Sequence, residues 1–119
     1  MFAILQDGHV IGHSELESGD APMGVAFGRL VPTERFDIFW QTVPPSRTEG
    51  NDIQIWDDLS AVAPKQMALE CLGVAVFRYD FNKGVYLEVE VVGITASQYQ
   101  EFFPHHIAAY ERLFAGRKE

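Results

Sequence analysis

Two strand-like runs separated by a short turn, within residues 69–94, constrain this chain more than any other feature. The turn is Asn82-Lys83-Gly84, and asparagine and glycine tolerate the positive φ angles that a tight reversal requires. In the second run, valine and leucine at the odd positions from 85 to 91 alternate with tyrosine and glutamate at the even positions. This period of two predicts a β-hairpin with one buried side and one solvent-facing side.

Shorter strand patterns occur along the rest of the chain. The first two flank Asp7-Gly8, a dipeptide that favours the tight turn of a second hairpin. We therefore predict six strands, at residues 2–5, 9–16, 23–31, 53–56, 67–80 and 85–94. Among the residues of the central hairpin, we expect burial of Val76, Phe77, Leu87, Val89 and Val91.

Residues 64–72 allow two predictions. Pro64 suits the first turn of a helix, Gly73 suits its end, and the residues between them have high helix propensity. The second strand of the hairpin is long, however, and it needs a partner of similar length. We therefore favour a strand that begins at about Met67 and keep the helix as the alternative.

Two segments have helical spacing. Apolar residues from Phe36 to Val43 recur every three or four positions, which predicts a helix over 33–42 that ends before Pro44. A second helical pattern covers 96–115 and is interrupted at Pro104.

This second pattern has a clear end. Gly116 is a typical helix terminator, and Arg117 and Lys118 place positive charge near the negative end of the helix dipole.

These elements predict one α+β domain spanning residues 1–119. We expect a mostly antiparallel sheet of five to six strands, with a short helix and a C-terminal helix pair packed on one face. Hydrophobic residues make up 47% of the chain, which is enough for a substantial core at this length.

The charge and the cysteine content narrow the classes of function. The net charge of −8 argues against a nucleic-acid partner, because such binding requires neutralisation of phosphates. The same charge permits a basic protein partner without requiring one. No apolar run approaches the ~20 residues of a membrane-spanning helix, and no signal-peptide pattern occurs at the N-terminus. With Cys71 as the single cysteine, we expect a cytoplasmic protein without internal disulfides.

Small residues mark one side of the third predicted strand, at Gly24, Ala26 and Gly28. A strand side with almost no side chains allows another group to approach the backbone closely. We expect an aromatic ring or a helix to lie flat against it, and the alternative is that it forms the floor of a ligand pocket.

Four histidines raise the possibility of a metal site. His9 and His13 lie about 13 Å apart on a strand, which is too far for one ion. His105 and His106 fall in the first turn of the helix that restarts at Pro104, where free N–H groups favour a neutral imidazole or a bound anion. A metal site would require His13 to meet one of them, so we predict no metal and no other cofactor.

A resemblance to known proteins rests on three stretches of the chain. They are GHSELESGDAPMGVAFGRLVP at 12–32, FPHHIAAYERLF at 103–114 and the hairpin YDFNKGVYLEVEVVGI. The chain resembles a family of small uncharacterised bacterial proteins, and this resemblance implies no activity, cofactor or catalytic residue. By analogy alone, small acidic α+β proteins of this kind are similar to immunity proteins of bacterial toxin systems.

The sequence therefore predicts a non-catalytic binding protein, because no catalytic motif accompanies the acidic composition. The alternative is a small-molecule-binding protein or small enzyme that uses the Gly24, Ala26 and Gly28 side with His105 or His106. The candidate binding residues are His105, His106, Gly24, Gly28 and His13.

Overall fold

The computed structural model describes residues 1–115, which form two antiparallel sheets and three α-helices. The strands, in chain order, are β1 (Phe2–Gln6), β2 (His9–Ser14), β3 (Ser18–Asp20), β4 (Val25–Arg29), β5 (Val31–Pro32), β6 (Arg47–Glu49), β7 (Ile53–Trp56), β8 (Ser60–Ala63), β9 (Met67–Ala68), β10 (Gly73–Phe81) and β11 (Gly84–Val92). The helices are α1 (Arg35–Thr42), α2 (Ala96–Phe102) and α3 (Pro104–Ala115). The predicted α+β class is confirmed.

Each of the two predicted hairpins lies inside its own sheet. The β10–β11 hairpin pairs from Gly73 with Val92 to Phe81 with Gly84, inside a six-stranded sheet of order β3-β4-β11-β10-β7-β6. The β1–β2 hairpin belongs to a five-stranded sheet of order β5-β2-β1-β8-β9. We expected one sheet with all helices on one face, whereas α1 lies against β2 of one sheet and α3 against β3 of the other.

Two of the predicted strands are divided between the sheets. The segment predicted as a strand over 67–80 forms β9 in one sheet and β10 in the other, and the segment over 23–31 is divided into β4 and β5 in the same way. Leu30 and Leu69, at the two crossing points, are buried. A strand that changes sheets must bend and break its pairing, and the alternation of apolar and polar residues does not record such a bend.

The helix alternative for residues 64–72 is wrong. A short 3-10 turn covers only Pro64–Gln66, with a positive φ of 68° at Lys65. The backbone N–H of Leu69 donates to the Ala61 carbonyl, and that of Glu70 donates to Oε1 of Gln98 at 2.6 Å. Because these N–H groups find partners in distant parts of the chain, the helix propensity of the segment is overridden.

One cluster of buried side chains draws on both sheets and on helices α1 and α2. From the central hairpin it contains Val76, Val89 and Val91, with Leu87 packed against its margin. Phe77, which we expected to be buried with them, is only partly buried because it lies on the opposite side of β10.

The C-terminal helices meet at Pro104, so the predicted interruption is confirmed. The predicted helix end at Gly116 and the charges of Arg117 and Lys118 lie outside the described residues. Within residues 1–115, no helix combines the length and the hydrophobicity needed to cross a membrane.

Candidate functional site

An open groove runs between strand β3 and helix α3, and we refer to it as the β3–α3 groove. Its cavity volume is about 350 Å³. The residues that line it are Glu17, Ser18 and Gly19 on the strand side and His106, Ala109, Tyr110 and Leu113 on the helix side. Strand β3 is an edge strand, because it pairs with β4 alone.

A hydrogen-bonded pair of side chains stands at the base of the groove. The hydroxyl oxygen of Tyr99 lies 2.9 Å from the backbone oxygen of Val25 and 3.1 Å from Nδ1 of His106. A carbonyl oxygen has no hydrogen to donate, so the Tyr99 hydroxyl must donate to Val25. His106 then donates from Nδ1 to the Tyr99 oxygen, which assigns the proton of the neutral ring to Nδ1.

The other ring nitrogen of His106 has no such partner. Nε2 is buried and makes no hydrogen bond with any residue of the described part of the chain. Burial lowers the pKa of His106, and the neighbouring His105 lowers it further. Backbone groups of Glu17 and Leu16 raise the pKa, but by less than burial and His105 lower it. The ring is therefore held neutral, with a lone pair on Nε2.

Aromatic stacking fixes the orientation of the His106 ring. It is nearly parallel to the ring of Phe103, at an angle of 12° and a centroid distance of 5.0 Å. Phe103 in turn stacks on Phe2 at 5.2 Å, and it is fully buried. The imidazole is therefore anchored to the main core through Phe103, the residue between α2 and α3.

Gly19 permits the close approach of these rings to β3. A Cβ atom at this position would lie 2.6 Å from the Tyr99 hydroxyl oxygen and 2.7 Å from the Val25 oxygen. From the sequence we predicted a binding role for His106 but none for Gly19 or Tyr99. No local pattern marks them, because their partners lie far away along the chain.

Other groups of the protein cover Gly24 and Gly28, the two glycines on the small side of the third predicted strand. Gly24 has a φ of +67° and ends the Ala21–Met23 turn, and its backbone oxygen accepts from the N–H of Ile94 at 3.0 Å. Gly28 lies beneath the carboxylate of Glu17, which accepts from the N–H of Arg29 at 2.9 Å. We expected an aromatic ring or a helix there, and the groups found are a backbone segment and a carboxylate.

The two remaining candidate residues occupy different places. His105 is exposed, and its ring contacts that of His106 edge-on at a centroid distance of 4.2 Å. His13 lies on β2 in the other sheet, paired with Ala3 and Val31, so it is not part of the groove. Among residues 1–115, no group of three or more histidine, cysteine or acidic residues is placed to hold a metal ion.

No protein-family model matches this chain, and no significant similarity to a curated protein or a solved structure is found. The resemblance to small bacterial proteins stays a prediction. The proposal for function therefore rests on the geometry and the charge of the β3–α3 groove.

The charge along β3 is negative. Glu17 and Asp20 are exposed at the two ends of Ser18-Gly19, and His106 is neutral for the reasons given above. Burial, with a contribution from Asp20, raises the pKa of Tyr99 to about 12, so this side chain keeps its proton at any physiological pH. The groove thus combines a strand edge, an apolar helix side and an acidic margin.

Proposed function

We propose that this chain is a non-catalytic binding protein that holds an extended, basic segment of a partner protein in the β3–α3 groove. The observation that carries the proposal is the position of an edge strand alongside an open groove. An edge strand presents unpaired N–H and C=O groups, and an extended peptide can add to it as a further strand.

The helix side of the groove supplies an apolar contact surface. Tyr110 and Leu113 are 40% and 59% exposed, and both line the groove. The small side chain of Ala109 lines the same groove wall. Alternate side chains of a bound strand point to one side, so an apolar residue of the partner segment can pack against this wall.

The acidic margin supports a basic partner. Glu17 and Asp20 lie along β3, and the net charge of the whole chain is −8. Opposite charge accelerates the encounter between partners and selects against acidic competitors. A cytoplasmic location fits the single cysteine, Cys71, and is part of the same proposal.

The small-molecule alternative has weaker support. It requires the side formed by Gly24, Ala26 and Gly28 to be open. Glu17 covers Gly28, the Ile94 backbone lies against Gly24, and Ala26 is fully buried.

A titration with defined peptides tests the proposal. The probe is a short peptide of alternating lysine and valine, and its counterpart replaces each lysine by glutamate. We expect the basic peptide alone to shift the amide resonances of β3 and α3. We also expect Leu113→Gln to weaken its binding about tenfold, or ~1.4 kcal/mol.

The matched control is Ile38→Gln, because Ile38 is also an exposed apolar residue on a helix, at 65% exposure. This variant should bind the basic peptide like the unmodified protein. Equal effects of the two substitutions, or resonance shifts confined to other strands, would overturn the assignment of the groove.

A further inference from the structure

A row of aromatic rings covers the side of the β10–β11 hairpin that faces away from the core. Phe77 and Tyr79 stack at a centroid distance of 6.2 Å, and Tyr79 and Phe81 stack at 6.1 Å. Tyr86, the cross-strand partner of Tyr79, lies 5.8 Å from it. We refer to these four rings, with the neighbouring Glu88, as the aromatic face.

The outer end of the aromatic face projects into solvent. Strand β7 pairs with β10 only over 76–79, and β4 pairs with β11 only over 88–91, so residues 81–86 extend past both neighbouring strands. Phe81 and Tyr86 are 51% and 45% exposed. Exposed rings grouped in this way are typical of a contact surface and not of a sheet margin.

A carboxylate lies beside the rings. Oε1 of Glu88 is 3.5 Å from the hydroxyl oxygen of Tyr79. Burial raises the pKa of Glu88, Glu90 and Glu17 add to this by repulsion, and the contact with Tyr79 partly opposes it. Its cross-strand neighbour Arg29 forms no ion pair with it, and within residues 1–115 no other cation does so either.

The opposite side of the same strand contains a guanidinium held by similar groups. The Arg78 guanidinium carbon lies 3.6 Å from the centroid of the Trp40 ring. Its Nη1 is 3.5 Å from a carboxylate oxygen of Asp80 and 3.0 Å from Oε1 of Gln54. The fold therefore holds this arginine side chain between an aromatic ring of α1, an amide of β7 and a carboxylate of β10.

We propose that the aromatic face is a docking surface for an arginine side chain of a partner protein, with the guanidinium stacked on Tyr79 or Tyr86 and paired with Glu88. Arginine fits better than lysine, because its planar guanidinium stacks on rings and donates in parallel to a carboxylate. The charge supports this partner, since Glu88 and Glu90 lie two residues apart on the same side of β11. The aromatic face shares no residue with the lining of the β3–α3 groove, although the charge of Glu17 acts on both, so different variants test the two proposals.

The test uses a short glycine-arginine peptide and a peptide of the same length in which neutral citrulline replaces arginine. We expect the arginine peptide alone to shift the ring resonances of Tyr79 and Tyr86. Glu88→Gln and Tyr86→Leu should each weaken its binding at least about threefold. If Tyr86→Leu does not fold, Phe81→Leu at the exposed end of the row takes its place.

Two control variants lie on α3. Phe114→Leu removes a comparably exposed ring that does not line the β3–α3 groove, and Glu111→Gln removes an exposed carboxylate. Both should leave the shifts at Tyr79 and Tyr86 unchanged. The proposal is overturned if citrulline or lysine peptides bind the face as tightly as arginine peptides do. It is also overturned if sedimentation shows a dimer that Tyr86→Leu dissociates, because a second copy of the chain would then cover the face.

Discussion

The hydroxyl oxygen of Tyr99 accepts a hydrogen bond from Nδ1 of His106 at 3.1 Å while it donates to the backbone of Val25 at 2.9 Å. These two contacts connect α2, α3 and β4 through one oxygen atom. Because Gly19 of β3 lies directly against this pair, the base of the β3–α3 groove depends on four elements at once. The contribution of this packing to stability and the response of His106 to pH can be tested separately.

The first prediction concerns Gly19. Gly19→Ala should destabilise the protein by ~1–3 kcal/mol, because the added methyl group meets the Val25 oxygen and the two ring systems. Chemical denaturation measures the change. Gly73→Ala is the control, since the nearest atom to its added methyl group is 3.7 Å away, and it should be neutral or slightly stabilising. Equal destabilisation by both variants would contradict the close packing at Gly19.

The second prediction concerns pH. Burial holds the pKa of His106 in the folded protein below its ordinary value of 6.5. The unfolded chain therefore binds more protons in acid, and the free energy of unfolding should fall as the pH drops below about 6.5. His106→Gln should reduce this slope, as measured by denaturation at a series of pH values.

The control for this pH series is His9→Gln, which removes an exposed histidine at the start of β2. We expect it to leave the slope unchanged. A slope that is the same in the His106→Gln variant and in the unmodified protein would show that His106 does not contribute to acid sensitivity.

The third prediction concerns Phe103, which lies between the two C-terminal helices and is fully buried. Phe103→Ala should cost ~3–5 kcal/mol, because it leaves a cavity beneath Phe2, Tyr99 and His106. Phe81→Ala removes an equal volume from the surface and should change stability by less than about 1 kcal/mol. Similar losses in urea denaturation would mean that the core does not extend to the helix junction.

The fourth prediction concerns Arg78. Arg78→Lys should cost about 1 kcal/mol, because an ammonium group cannot both stack on Trp40 and donate to Gln54 as the guanidinium does. Arg47→Lys is the control, since Arg47 forms exposed ion pairs that contribute little. The same denaturation experiment measures both variants. If Arg78→Lys does not lower the free energy of unfolding, the Arg78 site does not support arginine binding at the aromatic face.

Part of the candidate site could be predicted from the chain. The break at Pro104 placed His105 and His106 at the start of a helix, and the structure agrees. Only His106 turns inward, towards Tyr99 and Gly19, because of the way α3 lies against β3. The alternation of residues 85–91 predicted an exposed side of the hairpin. The stacking of Phe77, Tyr79 and Phe81 on that side was missed, because Phe77 was expected in the core.

By itself, the sequence determined the two hairpins, helix α1 and the interrupted C-terminal helix. These elements depend on turn residues, on prolines and on the period of apolar side chains, all of which act between near neighbours. Only the tertiary structure decided that β9 and β10 belong to different sheets and that Glu17 covers Gly28. The polar edge strands β3 and β6 likewise form only through pairing with β4 and β7. Such pairings join backbone groups that are distant along the chain, and their energy depends on which surfaces meet when the core closes.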